Sequence, residues 1–257
     1  MIKPMRKKLV VVGNGMAGAR VVEEVLKRAP QMFDITMFGA EPYGNYNRIL
    51  LSNVLNNSQQ ATEIFMNPLA WYEENDITLH AGVKAVRIDR ERKVVIGRPM
   101  RKDALPYAAG ADTGCTEANP IEEPYDYVII ATGSRPFVPP MDGFGKAGTF
   151  MFRTIDDCER IADYAKDCKK AAVIGGGLLG LEAARGLLTH GVEVTVLEAA
   201  PQLMIAQLDP ESGQMLKSTM EGMGIKVLCD KITTHIVDEN GRITHLLLKD
   251  GSKIETD

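Results

Sequence analysis

Residues 9–18 read Leu-Val-Val-Val-Gly-Asn-Gly-Met-Ala-Gly, and residues 171–180 read Ala-Ala-Val-Ile-Gly-Gly-Gly-Leu-Leu-Gly. In both stretches a short apolar run typical of a strand is followed by glycines in the spacing G-x-G-x-x-G, and a helical pattern comes next. At this spacing the first glycine permits a tight turn, the second lets the backbone touch a pyrophosphate, and the third lets the helix approach the strand closely. The chain is therefore predicted to contain two strand-turn-helix units that bind dinucleotides.

The anion at each turn is expected to be held by the backbone. Unpaired N–H groups and the positive end of the helix dipole attract a pyrophosphate without the help of a lysine. Neither stretch carries the Gly-Lys-Ser/Thr of a P-loop, so that other phosphate-binding motif is excluded. The expected contact residues are Gly13, Gly15, Met16, Ala17 and Gly18 in the first turn, and Gly175, Gly177, Leu178, Leu179 and Gly180 in the second.

Composition places the chain among globular proteins. It has 257 residues, of which 45% are apolar, and a net charge of −4 from 30 basic and 34 acidic residues. The basic cluster Arg6-Lys7-Lys8 flanks a predicted strand, so nothing indicates a nucleic-acid or anionic-membrane partner. The N-terminal apolar run is too short for a signal peptide, and no stretch approaches the roughly 20 apolar residues of a membrane span. From the sequence we expect a soluble, cytoplasmic protein.

The cysteines give no sign of a metal or redox centre. Cys115, Cys158, Cys168 and Cys229 form no C-x-x-C pair and show no spacing typical of metal ligands. Free cysteine commonly behaves as a small buried hydrophobe. The sequence thus predicts structural thiols, no disulfide framework and no metal site.

Two domains are expected. The first, residues 1–145, opens with a βαβ pattern and holds a small antiparallel layer over residues 77–96 and a surface insertion at residues 98–124. A buried strand is expected over residues 125–130. The second domain, residues 146–257, begins a new βαβ unit. The predicted fold class is α/β, with two Rossmann-like, three-layer domains that each have a mainly parallel sheet, plus the small antiparallel layer.

Glu198 is the candidate for the acid that recognises the ribose in the second domain. It closes the second strand of that unit, near the spacing of about 20 residues expected from the glycine turn. Its carboxylate can accept both ribose hydroxyls and would repel a 2′-phosphate, and residues 199–206 contain no arginine to receive one. NADH is therefore favoured over NADPH. The alternative is an exposed glutamate that merely ends a strand.

The first domain has a glycine where this acid is expected. Gly39 closes its second strand, and the nearest carboxylate belongs to Glu41. Either Glu41 reaches the ribose from the loop or backbone groups contact it, and a solvated loop glutamate is a third possibility.

These features together resemble a known family. The first glycine turn, the sequence Ala131-Thr132-Gly133 after a strand, the second glycine turn and Glu198 resemble the pyridine nucleotide–disulfide oxidoreductases with two dinucleotide-binding domains. The resemblance covers nearly the whole chain. It implies that the first domain binds FAD, that Ala131, Thr132 and Gly133 pass close to it, and that the second domain binds NAD(H).

A narrower resemblance rests on three segments. Residues 45–52, 175–184 and 207–209 resemble the amino-terminal part of the large subunit of NADH-dependent assimilatory nitrite reductases. The resemblance implies a hydride passing from NADH to FAD, then electrons passing to an iron–sulfur and sirohaem centre that reduces nitrite to ammonia. By matching positions, Arg48 would lie beside the flavin or its phosphates, and Glu182 would lie near the nicotinamide. The alternatives are a surface salt bridge for Arg48, a plain tight turn after a strand for Thr132 and Gly133, and a helix-surface glutamate for Glu182. No other catalytic residue is predicted.

The chain departs from the family pattern in two places. Ser52-Asn53 stands where disulfide and peroxide reductases keep a redox cysteine after the position of Arg48, which argues against thiol-based reduction. After Asp257 the family would add a further strand and then complete the FAD domain, and no four-cysteine set for a cluster is present. We therefore expect an incomplete FAD domain, weak FAD binding, and an iron–sulfur cluster and sirohaem only in a longer parent protein.

Two other functions stay open. The chain could be part of an NADH-dependent ferredoxin or rubredoxin reductase, whose electrons leave to a small carrier, or a catalytically inactive nucleotide-binding module. The expected partners are NADH and an electron-accepting module or carrier, with homo-oligomer formation possible.

Overall fold

A computed structural model describes residues 6–102, 104 and 113–257. The strands are β1 Lys7–Val12, β2 Phe33–Gly39, β3 Asn45–Tyr46, β4 Phe65–Asn67, β5 Ile77–Ala81, β6 Val83–Asp89, β7 Val94–Pro99, β8 Ile121–Pro124, β9 Tyr127–Ile130, β10 Lys170–Ile174, β11 Glu193–Leu197, β12 Lys226–Leu228, β13 Thr233–Glu239, β14 Arg242–Leu248 and β15 Lys253–Glu255. The helices are α1 Met16–Arg28, α2 Leu51–Leu55, α3 Leu69–Glu74, α4 Ile155–Ala165, α5 Leu178–Leu188 and α6 Pro210–Gly222.

The chain forms two compact units. The first contains the described residues up to Arg48 together with Ile64–Arg135, and the second contains Ile49–Glu63 together with Pro136–Asp257. The division after Arg135 lies ten residues before the end of the predicted first domain at residue 145. Helix α2 belongs to the second unit because its Leu55 packs against Gly186 of α5, where an added Cβ would lie only 2.7 Å from the Leu55 side chain.

The first unit has three layers around a parallel sheet of order β5-β2-β1-β9. The expectation of an antiparallel layer over residues 77–96 is wrong for β5, which pairs parallel with β2 because Ile77 packs in the core cluster of that sheet. Successive side chains of a strand point to opposite faces of the sheet, so the core of this unit has one part on each face. Leu9 and Val11 of β1 face the cluster under α1 and α3, whereas Val10 and Val12 face the antiparallel sheet β6-β7-β8. The apolar run of β1 is therefore continuous because both of its faces are covered, as is typical of parallel sheets.

Strand β9 corrects one expectation. The predicted buried strand at residues 125–130 is a shorter strand that pairs with β1 at the edge of the described sheet. Tyr127 and Ile130 at its two ends are 53% and 64% exposed, whereas Val128 and Ile129 pack on the two core clusters. Apolar composition alone did not reveal that the strand has a partner on one side only.

The predicted insertion at residues 98–124 is only partly a surface segment. Its first residues belong to β7, and its last four form β8, which pairs antiparallel with β7. Ile121 packs on the core cluster that contains Val95, which explains why this end is a strand. Residues 103 and 105–112 of the segment lie outside the described residues.

The second unit repeats this plan. Its parallel sheet has the order β10-β11-β12, with α5 and α6 contributing to the core cluster on one face and the antiparallel sheet β13-β14-β15 covering the other. Each unit also has an aspartate whose carboxylate accepts backbone N–H groups near the start of the strand that precedes the glycine turn. The Asp126 carboxylate accepts the N–H of Lys8 at 2.8 Å, and the Asp257 carboxylate accepts the N–H groups of Lys169 and Lys170 at 2.7 and 2.8 Å. The two glycine turns therefore lie in the same arrangement of a parallel sheet, helices and a covering antiparallel sheet.

The described helices give no membrane-spanning candidate, since none of them is both long and apolar enough to cross a bilayer.

Candidate functional site

The first glycine turn lies at the carboxyl end of β1. Gly13 has a φ of 113°, in the region that side chains disfavour, and its N–H donates to the carbonyl of Phe38 at 2.9 Å. A Cβ on Gly13 would lie 2.2 Å from the carbonyl oxygen of Ala131, and one on Gly18 would lie 2.0 Å from that of Gly13. The protein's own backbone therefore requires the first and third glycines of this turn.

The second turn repeats this geometry. Gly175 has a φ of 116°, and its N–H donates to the carbonyl of Leu197 at 2.8 Å. A Cβ on Gly180 would lie 2.0 Å from the carbonyl oxygen of Gly175. Gly176, which was not among the predicted contact residues, is also constrained, because a Cβ there would lie 2.5 Å from the Leu203 side chain. The run of three glycines was the available signal for it.

The second glycine of each motif behaves differently. A Cβ on Gly15 or Gly177 would meet no protein atom within 4 Å. Each of these glycines is the N-cap of the following helix, α1 or α5, and neither helix has a side-chain cap. Open space in front of an uncapped helix N-terminus fits a pyrophosphate, which would use the exposed N–H groups and the helix dipole. The residues present therefore fit a dinucleotide at both turns.

The Ala131-Thr132-Gly133 segment lies directly beside the first turn. The N–H of Ala131 donates to the carbonyl of Val12 at 2.8 Å, which brings the Ala131 carbonyl against Gly13. Thr132 and Gly133 are exposed, and Gly133 has a φ of 66°. The structure thus brings together two segments that are distant in sequence and that the family resemblance assigned to one cofactor.

Glu198 lies over the second turn. Its carboxylate accepts the N–H of Gly176 at 2.6 Å and the N–H of Ala200 at 2.8 Å. The side chain is half-buried at the carboxyl end of β11, next to the turn at the carboxyl end of β10. Ligands of parallel α/β sheets bind at this edge. The position suits a ribose-binding acid, and the two N–H donors fix the carboxylate in place.

Glu182 lies on α5, two residues after the third glycine of the second turn. It is half-buried, and this burial raises the pKa of its carboxyl above the ordinary glutamate value. Partial desolvation favours the neutral form of the side chain. A carboxyl of this kind can donate or accept a hydrogen bond, depending on its protonation state.

Glu41 and Arg48 meet in the first unit. The Arg48 guanidinium donates to Oε1 of Glu41, and the Tyr46 hydroxyl donates to Oε2 of Glu41 at 2.6 Å. The guanidinium carbon also lies 4.8 Å from the centre of the Tyr46 ring. Glu41 is therefore not a solvated loop glutamate, since its side chain is only 13% exposed.

A buried hydrogen-bond network, which the sequence did not predict, lies beside the first turn. The Tyr72 hydroxyl donates to Oδ1 of Asn14 at 2.7 Å and accepts the N–H of Asn45 at 3.1 Å. Nδ2 of Asn45 donates to the carbonyl of Asn14 at 3.3 Å. Burial raises the pKa of Tyr72, whose hydroxyl stays a donor. No local pattern marks these residues, because α3 brings Tyr72 to the turn only in the folded chain.

Cys158 has the surroundings of a structural thiol. All four cysteines are free, and Cys158 is buried on α4, where its Sγ donates to the carbonyl of Leu51 at 3.5 Å. Burial raises the pKa of the Cys158 thiol to about 12, so the reactive thiolate is disfavoured. Within the described ranges, no group of three or more His, Cys, Asp or Glu residues is arranged to hold a metal ion.

Cys158 is expected to be unreactive in the folded chain. A thiol of pKa about 12 has a thiolate fraction at pH 8 about a thousandfold below that of a thiol with the ordinary pKa of 9.0. An aromatic disulfide reagent should therefore modify Cys115, Cys168 and Cys229 first, and Cys158 only after unfolding. The neutral buried thiol should also contribute stability that is complete below pH 9 and is lost as the pH rises towards 12. Mass mapping of rapid Cys158 labelling at pH 8 would contradict this assignment.

Two glycine turns that fit dinucleotides, each on its own parallel sheet, are typical of oxidoreductases with paired nucleotide-binding domains. The chain belongs to the pyridine nucleotide-disulphide oxidoreductase family, whose sequence profile matches residues 7–257. Members of this family bind FAD and NAD(P)H. The fold class and the family resemblance predicted from the sequence are thereby confirmed.

Individual relatives narrow the resemblance. The chain is 46% identical over 252 residues to a nitrite reductase [NAD(P)H] of Bacillus subtilis, and the match covers 98% of this chain and 29% of the relative. It is 40% identical to the assimilatory nitrate reductase electron transfer subunit of the same organism, covering 98% of this chain and 30% of the relative. The chain thus spans less than a third of the length of these relatives.

A solved structure agrees with the fold. A ferredoxin reductase from Rhodopseudomonas palustris superimposes with a TM-score of 0.83 at 26% identity, covering 98% of this chain and 57% of that one.

Proposed function

We propose that this chain is an NADH-to-FAD electron-input module, with FAD at the turn of the first unit and NADH at the turn of the second. The observation that carries the proposal is the pair of uncapped helix N-termini whose middle glycines, Gly15 and Gly177, face open space. Protein packing does not require a glycine at either position. A cofactor phosphate in contact with the backbone would require it.

The FAD site would be formed by residues from three segments. The glycine turn would hold the pyrophosphate, the exposed turn at Thr132 would contact the cofactor, and Arg48 would supply a positive charge near its phosphates or flavin. The proposed set is Gly13, Gly15, Met16, Ala17, Gly18, Glu41, Arg48, Ala131, Thr132 and Gly133.

The NADH site would be formed by the second turn and Glu198. The Glu198 carboxylate, fixed by two backbone N–H groups, would accept the hydroxyls of the adenosine ribose. Glu182, with its raised pKa, is the proposed neighbour of the nicotinamide. The proposed set is Gly175, Gly177, Leu178, Leu179, Gly180, Glu182 and Glu198.

Hydride transfer from nicotinamide to flavin is the chemistry that the bound cofactors supply. The chain's own groups bind and orient them: the two turns anchor the phosphates, and Glu198 selects the nucleotide. The segment after Arg48 contains Ser52 and Asn53 rather than a thiol, and the Asn53 amide donates to Gln59 at 2.9 Å. This supports electron delivery to a separate acceptor in place of thiol-based disulfide reduction.

We propose nitrite reduction as the activity of the whole protein. The relative that is 46% identical is named a nitrite reductase, and this chain matches only 29% of its length. The iron–sulfur cluster and sirohaem that turn nitrite into ammonia would belong to parts of such a protein outside residues 1–257. Cluster-binding cysteines in a longer natural form of this chain would support this proposal, and nitrite-independent oxidation of NADH by that form would contradict it.

A second function is favoured by a different observation. One relative is named an electron transfer subunit, and a structural neighbour is a ferredoxin reductase. In this case the electrons would leave to a separate protein carrier. Reduction of added ferredoxin or rubredoxin by NADH, at a rate that saturates with carrier concentration, would favour this function over nitrite reduction.

Trp71 offers a direct test of both cofactor sites. It is the only tryptophan of the chain and lies on α3 in the first unit, in contact with Tyr72. Added FAD is expected to quench Trp71 emission saturably, because the flavin absorbs in the region of tryptophan emission. Under anaerobic conditions NADH should then bleach the visible flavin absorption faster than it bleaches free FAD. Absence of saturable quenching would contradict the FAD site, and quenching without bleaching would favour an inactive nucleotide-binding module.

A further inference from the structure

Gly39 closes β2 at the position where dinucleotide-binding units usually place the ribose-binding acid. A Cβ on Gly39 would lie 3.0 Å from the Cβ of Asn14, closer than side chains normally approach. Asn14 is itself fixed, because its Oδ1 accepts the Tyr72 hydroxyl and its Nδ2 donates to the carbonyl of Tyr43 at 3.3 Å. A carboxylate at position 39 would therefore displace a residue of the glycine turn.

Glu41, the next carboxylate along the chain, already has partners on both oxygens. Oε1 accepts from Arg48, and Oε2 accepts the Tyr46 hydroxyl at 2.6 Å. Each carboxylate oxygen can accept a second hydrogen bond, as is proposed for Glu198, so these partners alone do not exclude a ribose. The Glu41 side chain is only 13% exposed, however, which leaves little of it open to a sugar. The geometry of Glu41 therefore suits a side chain that orients Arg48 and Tyr46 better than one that binds a ribose.

Arg48 depends on this carboxylate. Its side chain is 24% exposed and lies over the Tyr46 ring, so much of its hydration has been lost. A partly desolvated guanidinium is costly without an anionic partner, and Glu41 supplies it. A guanidinium has five N–H donors in a fixed plane, so pairing with a carboxylate is compatible with a second, phosphate partner.

We propose that Glu41 is a positioning residue that acts on the FAD site through Arg48, and that it is not a ribose ligand. This inference rests on the proposed FAD-binding function of the first unit. Glu41 fixes the direction of the guanidinium and balances its charge, while Tyr46 limits its movement from the side. The cofactor is recognised by the glycine turn and Arg48.

A double-mutant cycle distinguishes action of Glu41 through Arg48 from direct contact between Glu41 and FAD. Glu41→Gln keeps the size of the side chain and an oxygen for Tyr46 but removes the charge that holds Arg48. Arg48→Met keeps the apolar stem and removes the guanidinium. FAD dissociation constants would be measured by Trp71 quenching for the wild type, both single variants and the double variant, with unfolding of the FAD-free proteins measured in parallel.

If Glu41 acts through Arg48, Glu41→Gln should weaken FAD binding about tenfold in the wild type and less than about twofold in the Arg48→Met background. Arg48→Lys should weaken binding as well, because it keeps the charge but loses the planar fork. The control Glu24→Gln, which removes the ion pairs of the half-buried Glu24 with Arg20 and Arg28 on α1, should leave FAD binding unchanged.

The outcomes distinguish this inference from the proposed function. If Glu41→Gln costs the same factor with and without Arg48, Glu41 contacts the cofactor directly and the inference is overturned. If the FAD-free variants unfold as readily as the wild type and the effects are non-additive, the positioning role is supported. If the wild type binds no FAD, the proposed function itself fails, and the inference fails with it.

Discussion

Gly177→Ala is expected to weaken NADH binding at least about tenfold, which is about 1.4 kcal/mol, while the chain stays folded. Gly177 has φ −83° and ψ 177°, a conformation that alanine adopts without strain, and its Cβ would meet no protein atom within 4 Å. Lower chain entropy in the unfolded state offsets the poorer N-cap, so the free energy of unfolding should change by less than about 1 kcal/mol. A loss of binding without a loss of stability would show that the glycine serves the ligand.

Gly180→Ala provides the contrast within the same motif. Its Cβ would lie 2.0 Å from the carbonyl oxygen of Gly175, so α5 must move away from the turn. We expect the second unit to lose about 3 kcal/mol or more of stability, together with NADH binding. Gly222→Ala, which adds a methyl group in open space at the end of α6, is the matched control and should change neither property.

The comparison needs two measurements on each variant, namely a urea unfolding curve and a titration of nicotinamide fluorescence. In the first unit, Gly15→Ala and Gly18→Ala should separate FAD binding from stability in the same way, since Gly15 also faces open space and Gly18 meets the Gly13 carbonyl. If Gly177→Ala binds NADH as tightly as the wild type, the pyrophosphate does not lie on this turn.

The glycine motifs were readable in the sequence because their requirement is local. A Cβ at the third glycine meets the carbonyl of the first, five residues earlier in the same strand-turn-helix unit, so spacing alone carries the information. The paired apolar runs were readable for the same reason. Strands buried on both faces need continuous apolar composition.

The other features of the fold and the site could not be predicted, because they depend on contacts between residues that are distant in sequence. In the sequence, Gly39 stands where a ribose-binding acid is expected. Only the folded chain shows that Asn14 occupies the space next to it. Leu55 packs against Gly186, which assigns residues 49–63 to the second unit although they lie within the first in sequence. The exposure of Tyr127 follows from its strand pairing on one side only. Hydrophobic periodicity carries none of this information.

Glu198→Gln is expected to lower the preference for NADH over NADPH by about a hundredfold. A fixed carboxylate accepts two ribose hydroxyls and repels a 2′-phosphate, and the neutral amide loses both effects. Recognition of a hydroxyl by a dedicated polar group is worth enough to reject an analogue that cannot satisfy it. NADH binding should weaken about tenfold, and NADPH binding should improve by a similar factor.

Glutamine is the informative substitution because Glu198 also supports the turn. The carboxylate accepts the N–H groups of Gly176 and Ala200, and an amide oxygen can keep one of these bonds. Glu198→Ala would remove both acceptors and mix a loss of turn geometry with a loss of selectivity. Unfolding of Glu198→Gln should therefore stay within about 1 kcal/mol of the wild type, which is the typical net value of one hydrogen bond.

Titrations with NADH and NADPH, each followed by nicotinamide fluorescence, give the two dissociation constants directly and do not depend on any electron acceptor. Glu193→Gln, an exposed change at the start of the same strand β11, is the control and should leave the ratio of the two constants unchanged. A Glu198→Gln variant with the wild-type ratio would mean that Glu198 only braces the turn, because a carboxylate in contact with the ribose must alter the discrimination against a 2′-phosphate when its charge is removed.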